Sequence, residues 1–398
     1  MKHKTSSHSS KDICIAGTGN TTGVLVPLLT TLDYRVTVLT RSARKAEQLK
    51  GAKFVLNHIT ARETFHAEPF LLTTDAKTAL QDSSVVVLAI PMSGWETYLQ
   101  KILAHLQTGS TIITLQSQAS LKSVVQKTQS ILGLHSQDLT LVSADILPFT
   151  CRANEVHDST VITELSALKG FTNVVIDPYE NTKAILPLVE DIVPQEIIQY
   201  ERGLELLLTP SNAPFHVPIM LGLYEEEQKG KLPAKFYFDM TDSSLELIES
   251  LNQEYQRIIQ EIQKLYPDFR VPYEGDLLPY MSAKYSHLFG QLEINTLSDF
   301  FRKNPAYKNI FVPVKEGKLD INSRTFTEDV PFTLVPVWDV SQVLGIKTAV
   351  LERIILDAQK IMGKEYITIY GRAGKDFKET AAPRNFGITT LKELMSQY

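Results

Sequence analysis

The first half of the chain alternates between short apolar segments typical of β-strands and segments with helical periodicity. The predicted strands cover residues 12–17, 35–40, 53–56, 85–90, 111–115 and 140–143. Helical patterns lie between them, and the clearest is WETYLQKILAHL at 95–106. Strands that alternate with helices are usually joined by crossover connections, which make neighbouring strands parallel. The sequence therefore predicts an α/β fold whose first half is a doubly wound parallel sheet.

A glycine-rich loop follows the first predicted strand and precedes a helical segment. Residues 17–23 read GTGNTTG, close to the dinucleotide-binding pattern G-x-G-x-x-G. In that pattern Gly17 makes the tight turn and Gly19 lets a pyrophosphate approach the backbone, although Thr22 occupies the third glycine position and Gly23 follows it. We predict a Rossmann-type domain, with a plain strand–turn–helix as the alternative. The predicted cofactor contacts are Gly17, Thr18, Gly19, Asn20, Thr21 and Thr22, together with Pro91 after the fourth strand.

The end of the second predicted strand bears on which dinucleotide binds. NAD sites usually place Asp or Glu here, to accept hydrogen bonds from the ribose 2′-hydroxyl. This chain instead has RSARK, residues 41–45. Arginine and serine side chains can hold a 2′-phosphate, which a carboxylate would repel. We therefore expect NADP(H) rather than NAD(H), bound by Arg41, Ser42, Arg44 and Lys45, unless this stretch is simply a solvated helix start.

From about residue 180 the pattern becomes mainly helical. Segments 183–193, 244–266 and 348–363 carry apolar residues at helical spacing. Two domains suit a chain of 398 residues. We predict a polar tail over 1–11, a dinucleotide-binding domain over 12–182 and a helical domain over 183–398. A cleft between two such domains is a common place for a ligand.

Charge and composition argue against several classes of protein. A formal net charge of −5 is unlike that of a general nucleic-acid-binding protein, which needs clustered positive charge. No apolar run is long enough to predict a membrane span. No spacing of ligand residues predicts a metal site. The two cysteines, Cys14 and Cys151, are too few for a disulfide framework, so we expect a reducing compartment, the cytoplasm.

Several stretches, spread in order over most of the chain, resemble the opine dehydrogenase family, which includes octopine dehydrogenase and the enzymes that make staphylopine-type metallophores. They are ILPFTCRANE (146–155), SNAPFHVPIML (211–221), FYFDMTDSSLELIESLNQE (236–254), NPAYKNI (304–310) and SRTFTEDVPFTLVP (323–336). The resemblance implies a Rossmann-type domain followed by a helical domain. It also implies NAD(P)H-dependent reductive condensation of an α-keto acid with the amino group of an amino acid or a related amine.

The resemblance also assigns a catalytic pair. Local sequence alone leaves His216 undecided between a packed core residue and a catalyst, and Asp329 alone would more often cap a helix. By the family pattern His216 is the general acid, and histidine suits that role because its ordinary pKa lies near neutrality. Asp329 would hold the other ring nitrogen and stabilise the imidazolium. Their contact is a prediction about the fold.

Substrates with carboxylates need cationic and polar partners in the cleft. Arg324, five residues before Asp329, could form a bidentate pair with a carboxylate, and Arg152 is a second candidate. A surface ion pair is the alternative for each arginine. The resemblance suggests that Gln118 touches the keto acid. Asn212 could position the nicotinamide or the substrate, or could simply form a local turn.

Three functions stay open on these grounds. The first is an opine-forming reductase that uses either a common amino acid or a larger amine whose product is a metallophore, and the NADP-type RSARK stretch favours the second variant. Another is an NADPH-dependent 2-keto-acid or hydroxy-acid reductase of the same architecture. The third is a dinucleotide sensor without turnover. The oligomeric state stays open, and a homodimer is compatible with the sequence.

Overall fold

An eight-stranded sheet forms the first domain of the computed structural model, which describes residues 11–59, 61–116, 120–134, 137–153 and 160–397. The strand order is β12-β11-β8-β7-β6-β1-β2-β5. These strands are β1 (Lys11–Ala16), β2 (Tyr34–Leu39), β5 (Leu71–Thr73), β6 (Val85–Leu88), β7 (Ser110–Thr114), β8 (Leu139–Ala144), β11 (Phe171–Asp177) and β12 (Glu196–Tyr200). The chain leaves β1 towards β2 on one side and later returns to β6 on the other side. The predicted Rossmann-type sheet is thus confirmed, although β11 runs antiparallel to β8, so the sheet is mixed.

A second, four-stranded sheet has the order β4-β3-β10-β9. Its strands are β3 (Lys53–His58), β4 (Glu63–Ala67), β9 (Phe149–Ala153) and β10 (Thr160–Leu168). The strand predicted at 53–56 therefore exists but does not belong to the main sheet as expected. Phe54 and Leu56 instead pack in one core with Val24 and Leu25 of helix α1 (Asn20–Thr30). Helix α1 is apolar from Gly23 to Leu29 because sheets cover it on both sides.

The remaining helices of the first domain are short. They are α2 (Ala43–Gln48), α3 (Ala76–Ala79), α4 (Trp95–Ile102), α5 (Leu121–Leu132) and α6 (Thr182–Ile192). Helix α6 and strand β12 come after the predicted boundary at residue 182, yet α6 packs into the sheet core and β12 pairs with β11. We therefore propose that the first domain extends to about residue 200, and that the predicted boundary was too early.

The second domain is helical, as predicted. Its helices are α7 (Gly203–Leu208), α8 (Ala213–Gln228), α9 (Asp242–Leu265), α10 (Leu277–Phe289), α11 (Leu297–Lys303), α12 (Arg324–Thr327), α13 (Val335–Val343), α14 (Ala349–Met362) and α15 (Leu391–Gln397), with a hairpin of β13 (Val314–Lys315) and β14 (Lys318–Leu319). Thr241 caps the start of helix α9, because its hydroxyl accepts from the Ser244 backbone N–H. Helices α8 and α9 cross closely at Gly222, where a Cβ atom would lie 2.2 Å from Ser244 Oγ. No helix among the described residues is long and apolar enough to span a membrane.

Candidate active site

Two adjoining cavities lie where the sheet domain meets the helical domain. The larger, of about 410 Å³, is lined from both domains and includes His216, Arg324 and Asp329. The smaller, of about 280 Å³, follows the carboxyl ends of β1, β6 and β7. The residues that line both are Asn20, Gln116, Leu147, Cys151 and Arg324. The smaller cavity thus lies at the point where the strand order reverses, which is where open α/β sheets bind dinucleotides.

The glycine loop packs tightly against the end of β6 at Gly17 and leaves open space beside Gly19. Gly17 has φ of +128°, and a Cβ atom there would lie 2.4 Å from Ala89 O at the end of β6. Gly19 caps α1 without a side-chain hydrogen bond, and a Cβ there would meet no atom within 4 Å. The first N–H groups of α1 therefore face an open space, an arrangement that favours phosphate. This geometry fits a dinucleotide pyrophosphate.

Thr22 and Gly23, where the loop departs from the G-x-G-x-x-G pattern, have structural roles. The Thr22 hydroxyl is buried and donates to Gly17 O at 3.0 Å, so this side chain stabilises the conformation of the loop. The prediction that Thr22 contacts the cofactor therefore fails for its side chain. At Gly23 a Cβ atom would lie 2.0 Å from Thr163 Oγ1 of β10. The displaced glycine lets α1 pack against the second sheet.

Some of the other predicted cofactor residues line the smaller cavity, and the rest lie beneath or beside the loop. Gly19, Asn20, Thr21 and Pro91 line the smaller cavity. Asn20 also joins the loop to β9, since its Oδ1 accepts from the Ala153 backbone N–H at 3.0 Å. Gly17 is buried beneath the loop, and Thr18 is half-buried beside it.

The RSARK stretch lies between β2 and α2. The Arg41 guanidinium stacks 5.0 Å from the centre of the Tyr98 ring, and its backbone N–H donates to the Tyr98 hydroxyl at 3.2 Å. Ser42 caps α2 by accepting from the Lys45 backbone N–H. Arg44 and Lys45 are exposed, and within the described parts of the chain no ion pair involves Arg41, Arg44 or Lys45. Three cationic groups are therefore free to meet an anion.

His216 and Asp329, which are 113 residues apart in sequence, are in direct contact. His216 Nδ1 lies 2.9 Å from Asp329 Oδ2, and His216 Nε2 lies 2.9 Å from the Tyr237 hydroxyl. The histidine side chain is 20% exposed and the Asp329 carboxylate 8%. A carboxylate can only accept here, so Nδ1 carries the proton and, in the neutral ring, Nε2 accepts from Tyr237. Burial raises the pKa of Tyr237 well above its ordinary value, which keeps this phenol a donor.

Helix α8 presents His216 to the cavity. Asn212 caps the helix with its backbone, and its carbonyl accepts from the His216 N–H at 2.8 Å. Pro214 in the first turn needs no N–H partner and is preorganised for a helix start. The Asn212 side chain makes no cap hydrogen bond, and the residue lines the larger cavity. The structure therefore leaves Asn212 available to a ligand.

Arg324 and Glu328 connect the two domains at the cavity wall. Arg324 Nε donates to Glu328 Oε2, and Arg324 Nη2 donates to Gln116 Oε1 at 3.4 Å. Glu328 Oε1 accepts from the Met92 backbone N–H at 2.9 Å, just beyond β6. The Arg324 side chain is still 61% exposed, so part of its guanidinium can meet a substrate carboxylate.

Two predicted substrate contacts are not placed in the cavity. Gln118 lies outside the described residues. Arg152 is exposed and faces Glu164 in the β9–β10 register, whereas its neighbour Cys151 lines both cavities. Successive side chains of a strand point to opposite faces, so Arg152 points away from the cleft and this prediction was wrong. Burial raises the pKa of the Cys151 thiol to about 12, so Cys151 lines the cavity as a neutral thiol.

The residues of the larger cavity that sequence reasoning missed include Tyr237, Glu328 and Lys169. Tyr237 and Glu328 lie inside stretches that carry the family resemblance, but nothing in their local sequence marks a contact with His216 or with the Met92 N–H. Lys169 lies between two strands that were not predicted. Only the fold brings these side chains to the cleft. Among the described residues no group of three or more His, Cys, Asp or Glu side chains could hold a metal ion.

Known proteins resemble this chain in both sequence and structure. Residues 199–362 match the family model for the α-helical domain of NAD/NADP octopine/nopaline dehydrogenases. Octopine dehydrogenase of Pecten maximus is 24% identical over 96% of this chain and 98% of its own length. Tauropine dehydrogenase of Arabella iricolor is 23% identical, covering 96% of this chain and 99% of its own.

Solved structures share the fold. Octopine dehydrogenase with NADH and L-arginine superimposes with a TM-score of 0.81 at 22% identity, covering 98% of each chain. Yersinopine dehydrogenase with NADP+ gives a TM-score of 0.64 at 14% identity, covering 95% of this chain and 99% of the other. The helical domain therefore matches that of the octopine and nopaline dehydrogenases, and sequence similarity to octopine and tauropine dehydrogenases extends along almost the whole chain.

Proposed function

We propose that the protein catalyses the NAD(P)H-dependent reductive condensation of an α-keto acid with the amino group of an amino acid or related amine. The observation that carries this proposal is the His216–Asp329 pair, which faces a cavity beside the glycine-loop cleft. A hydrogen-bonded imidazole and carboxylate can deliver and recover protons at a carbonyl oxygen. Arg324 lies at the junction of the two cavities, where it would hold the keto-acid carboxylate.

The chain's own residues would act as follows. Arg324 orients the keto acid so that its carbonyl oxygen faces His216. The amine adds to the keto carbon, and His216 Nε2 takes up the protons that the amine nitrogen gives up and passes them one after the other to the oxygen. Water then leaves to give a protonated imine. Asp329 holds Nδ1–H and stabilises the imidazolium, so the ring is kept in one orientation. When bound in the adjoining cleft, a reduced nicotinamide would supply the hydride for reduction of the C=N bond to a secondary amine.

Tyr237 must change its contact during this cycle. Its hydroxyl occupies the same ring nitrogen that would protonate the substrate oxygen. The phenol therefore either yields Nε2 to the substrate or passes the proton on through its own oxygen. In both cases the hydrogen bond from the Tyr237 hydroxyl fixes the orientation of the His216 ring before the substrate binds.

NADP(H) is the cofactor that we propose. The support is the set of Arg41, Ser42, Arg44 and Lys45 at the end of β2, where no carboxylate would repel a 2′-phosphate. Both cysteines are free thiols, which supports a reducing compartment such as the cytoplasm.

The test is amine-dependent oxidation of NADPH. Wild-type protein and His216→Ala would be supplied with pyruvate and a panel of amines, from common amino acids to histidine-derived precursors of the metallophore type. We expect oxidation only when keto acid and amine are both present, and a fall of at least about 100-fold in the variant. Oxidation with keto acid alone would identify a simple keto-acid reductase instead. Tight NADPH binding without oxidation under every pairing would favour a sensor.

A further inference from the structure

Lys169 is a buried lysine that lines the substrate cavity. It lies in the turn between β10 and β11, and the residue is only 6% exposed. Its backbone N–H donates to Pro148 O at 3.0 Å, and its Nζ donates to Leu147 O. An ammonium group has three donors, so this single backbone acceptor leaves two N–H groups to be satisfied.

The charges around Lys169 do not balance it. Asp145 is the nearby carboxylate, and it is already paired, because Lys284 Nζ lies 2.6 Å from Asp145 Oδ2 with both side chains fully buried. Asp145 also accepts from the Tyr280 hydroxyl and from Asn173 Nδ2. Within the described ranges no carboxylate forms an ion pair with Lys169. A protonated Lys169 thus leaves one uncompensated positive charge at the cavity wall.

Burying a charged lysine such as Lys169 destabilises the folded protein unless an anionic group pairs with it. Burial, and then the neighbouring charge of Lys284, lower the pKa of Lys169 to about 7. An apolar side chain of similar length would pack against Leu147 without that penalty. Since Lys169 lines an open cavity, an anionic ligand bound there could accept from its remaining N–H groups and balance its charge.

Position separates Lys169 from Arg324. Among the described residues, one lysine and one arginine line the larger cavity, and they are Lys169 and Arg324. Arg324 also lines the glycine-loop cleft, but Lys169 does not. One cation therefore borders both cavities, and the other borders only the larger one. The proposed condensation brings a keto-acid carboxylate to the first position and leaves the second for the other substrate.

We propose that Lys169 binds a carboxylate of the amine substrate, while Arg324 holds the keto acid. This inference rests on the proposed function and narrows it to amines that carry an acidic group. The carboxylate can come from the α-carbon or from the side chain of the amine. L-arginine and agmatine differ only in the α-carboxylate, whereas L-glutamate and L-glutamine differ in the side-chain charge.

Both pairs are compared by kcat/KM in the presence of pyruvate and by calorimetric binding to the wild-type enzyme–NADPH complex. We expect the carboxylate member of one pair to be favoured by about 10- to 100-fold, as for a charge-assisted hydrogen bond. In Lys169→Met that preference should fall to within about threefold. Lys53→Met, an exposed lysine of β3, is the matched control and should keep the wild-type preference.

The wild-type data alone can overturn the inference. If NADPH oxidation depends on the amine but neither pair is discriminated in turnover or in binding, Lys169 is not a carboxylate site and the proposed function stands. The same holds if Lys169→Met, folded by its circular dichroism spectrum, keeps the full preference. If no amine supports oxidation, the proposed function fails. Calorimetric binding of glutamate that is lost in Lys169→Met would still support the anion site.

Discussion

Asp329→Asn is the substitution that examines the catalytic pair most closely. It removes the charge opposite His216 Nδ1 and keeps the volume of the side chain. In the structure the two atoms are 2.9 Å apart, and the carboxylate is 8% exposed, so little water screens the contact. The imidazolium that forms during proton transfer would lose its counter-charge, and the amide could turn its NH2 group towards Nδ1 and favour the wrong tautomer.

The size of the effect follows from the contact. A hydrogen bond to a charged group contributes about 1.5–3 kcal/mol, which corresponds to a loss of about 10- to 150-fold in kcat/KM. A change of tautomer would add to this loss. The assay is steady-state NADPH oxidation with pyruvate and the best amine, beside the calorimetric affinity for NADPH, which should not change.

Asp357→Asn is the matched control, because Asp357 lies on the exposed face of α14 in a surface pair with Arg353 at 3.7 Å. Its kcat/KM should stay within about twofold of wild type, as expected of an exposed ion pair. The reasoning is refuted if Asp329→Asn keeps kcat/KM within about threefold of wild type, or if both variants lose activity equally.

Three further substitutions extend the account. Tyr237→Phe removes the hydroxyl from His216 Nε2, so we expect kcat to fall about tenfold while KM for pyruvate hardly changes, as stopped-assay kinetics would measure. Lys169→Met should raise the melting temperature more at pH 6 than at pH 9. The pKa of this lysine is lowered from 10.5 to about 7 on folding, so its buried charge costs stability in full below pH 7 and less as the pH rises towards 10.5. Arg41→Ala should raise KM for NADPH by about tenfold or more and leave KM for NADH unchanged, because only NADPH carries the 2′-phosphate that the guanidinium would hold.

Each of these has a contrary outcome. An increase in KM with unchanged kcat in Tyr237→Phe would make the tyrosine a substrate contact rather than a residue that positions His216. A pH-independent gain in stability in Lys169→Met would mean that the lysine stays protonated in the folded protein throughout this range, so that folding does not lower its pKa. Equal loss of affinity for both cofactors in Arg41→Ala would remove the argument for NADP(H).

Much of the sheet domain could be predicted because its signals are local. A strand's apolar run and a glycine turn are visible within a few residues, and β1, β2, β6, β7 and β8 lie where they were predicted. Which sheet a strand joins is not local. Residues 53–56 have the same pattern as the other strands, yet they pair with β10, more than a hundred residues later. The strands β9, β10 and β12 are half-buried or mixed in pattern, and the sequence did not reveal them or the almost fully buried strand β11.

In the candidate site, too, some residues could be predicted from a local motif and others depend on tertiary packing. The positions of Gly17 and Gly19 follow from a short motif with a physical reason. The contact of His216 with Asp329 was expected from a family resemblance, since no periodicity joins residues 113 apart. Arg152 was misplaced because the sequence does not show which face of β9 borders the cleft. The pairing of Tyr237 with His216 depends on α8 and the segment before α9 meeting in space, which only tertiary packing decides.

The most direct test of the central claim follows the atoms themselves. NADPH that carries deuterium at the hydride-donating carbon would be incubated with the wild-type protein, pyruvate and the preferred amine, and the product would be analysed by mass spectrometry. We predict a secondary amine that contains the carbons of both substrates, has lost one water, and carries one deuterium on the former keto carbon. Deuterated lactate with the amine recovered unchanged would contradict the account and identify a keto-acid reductase.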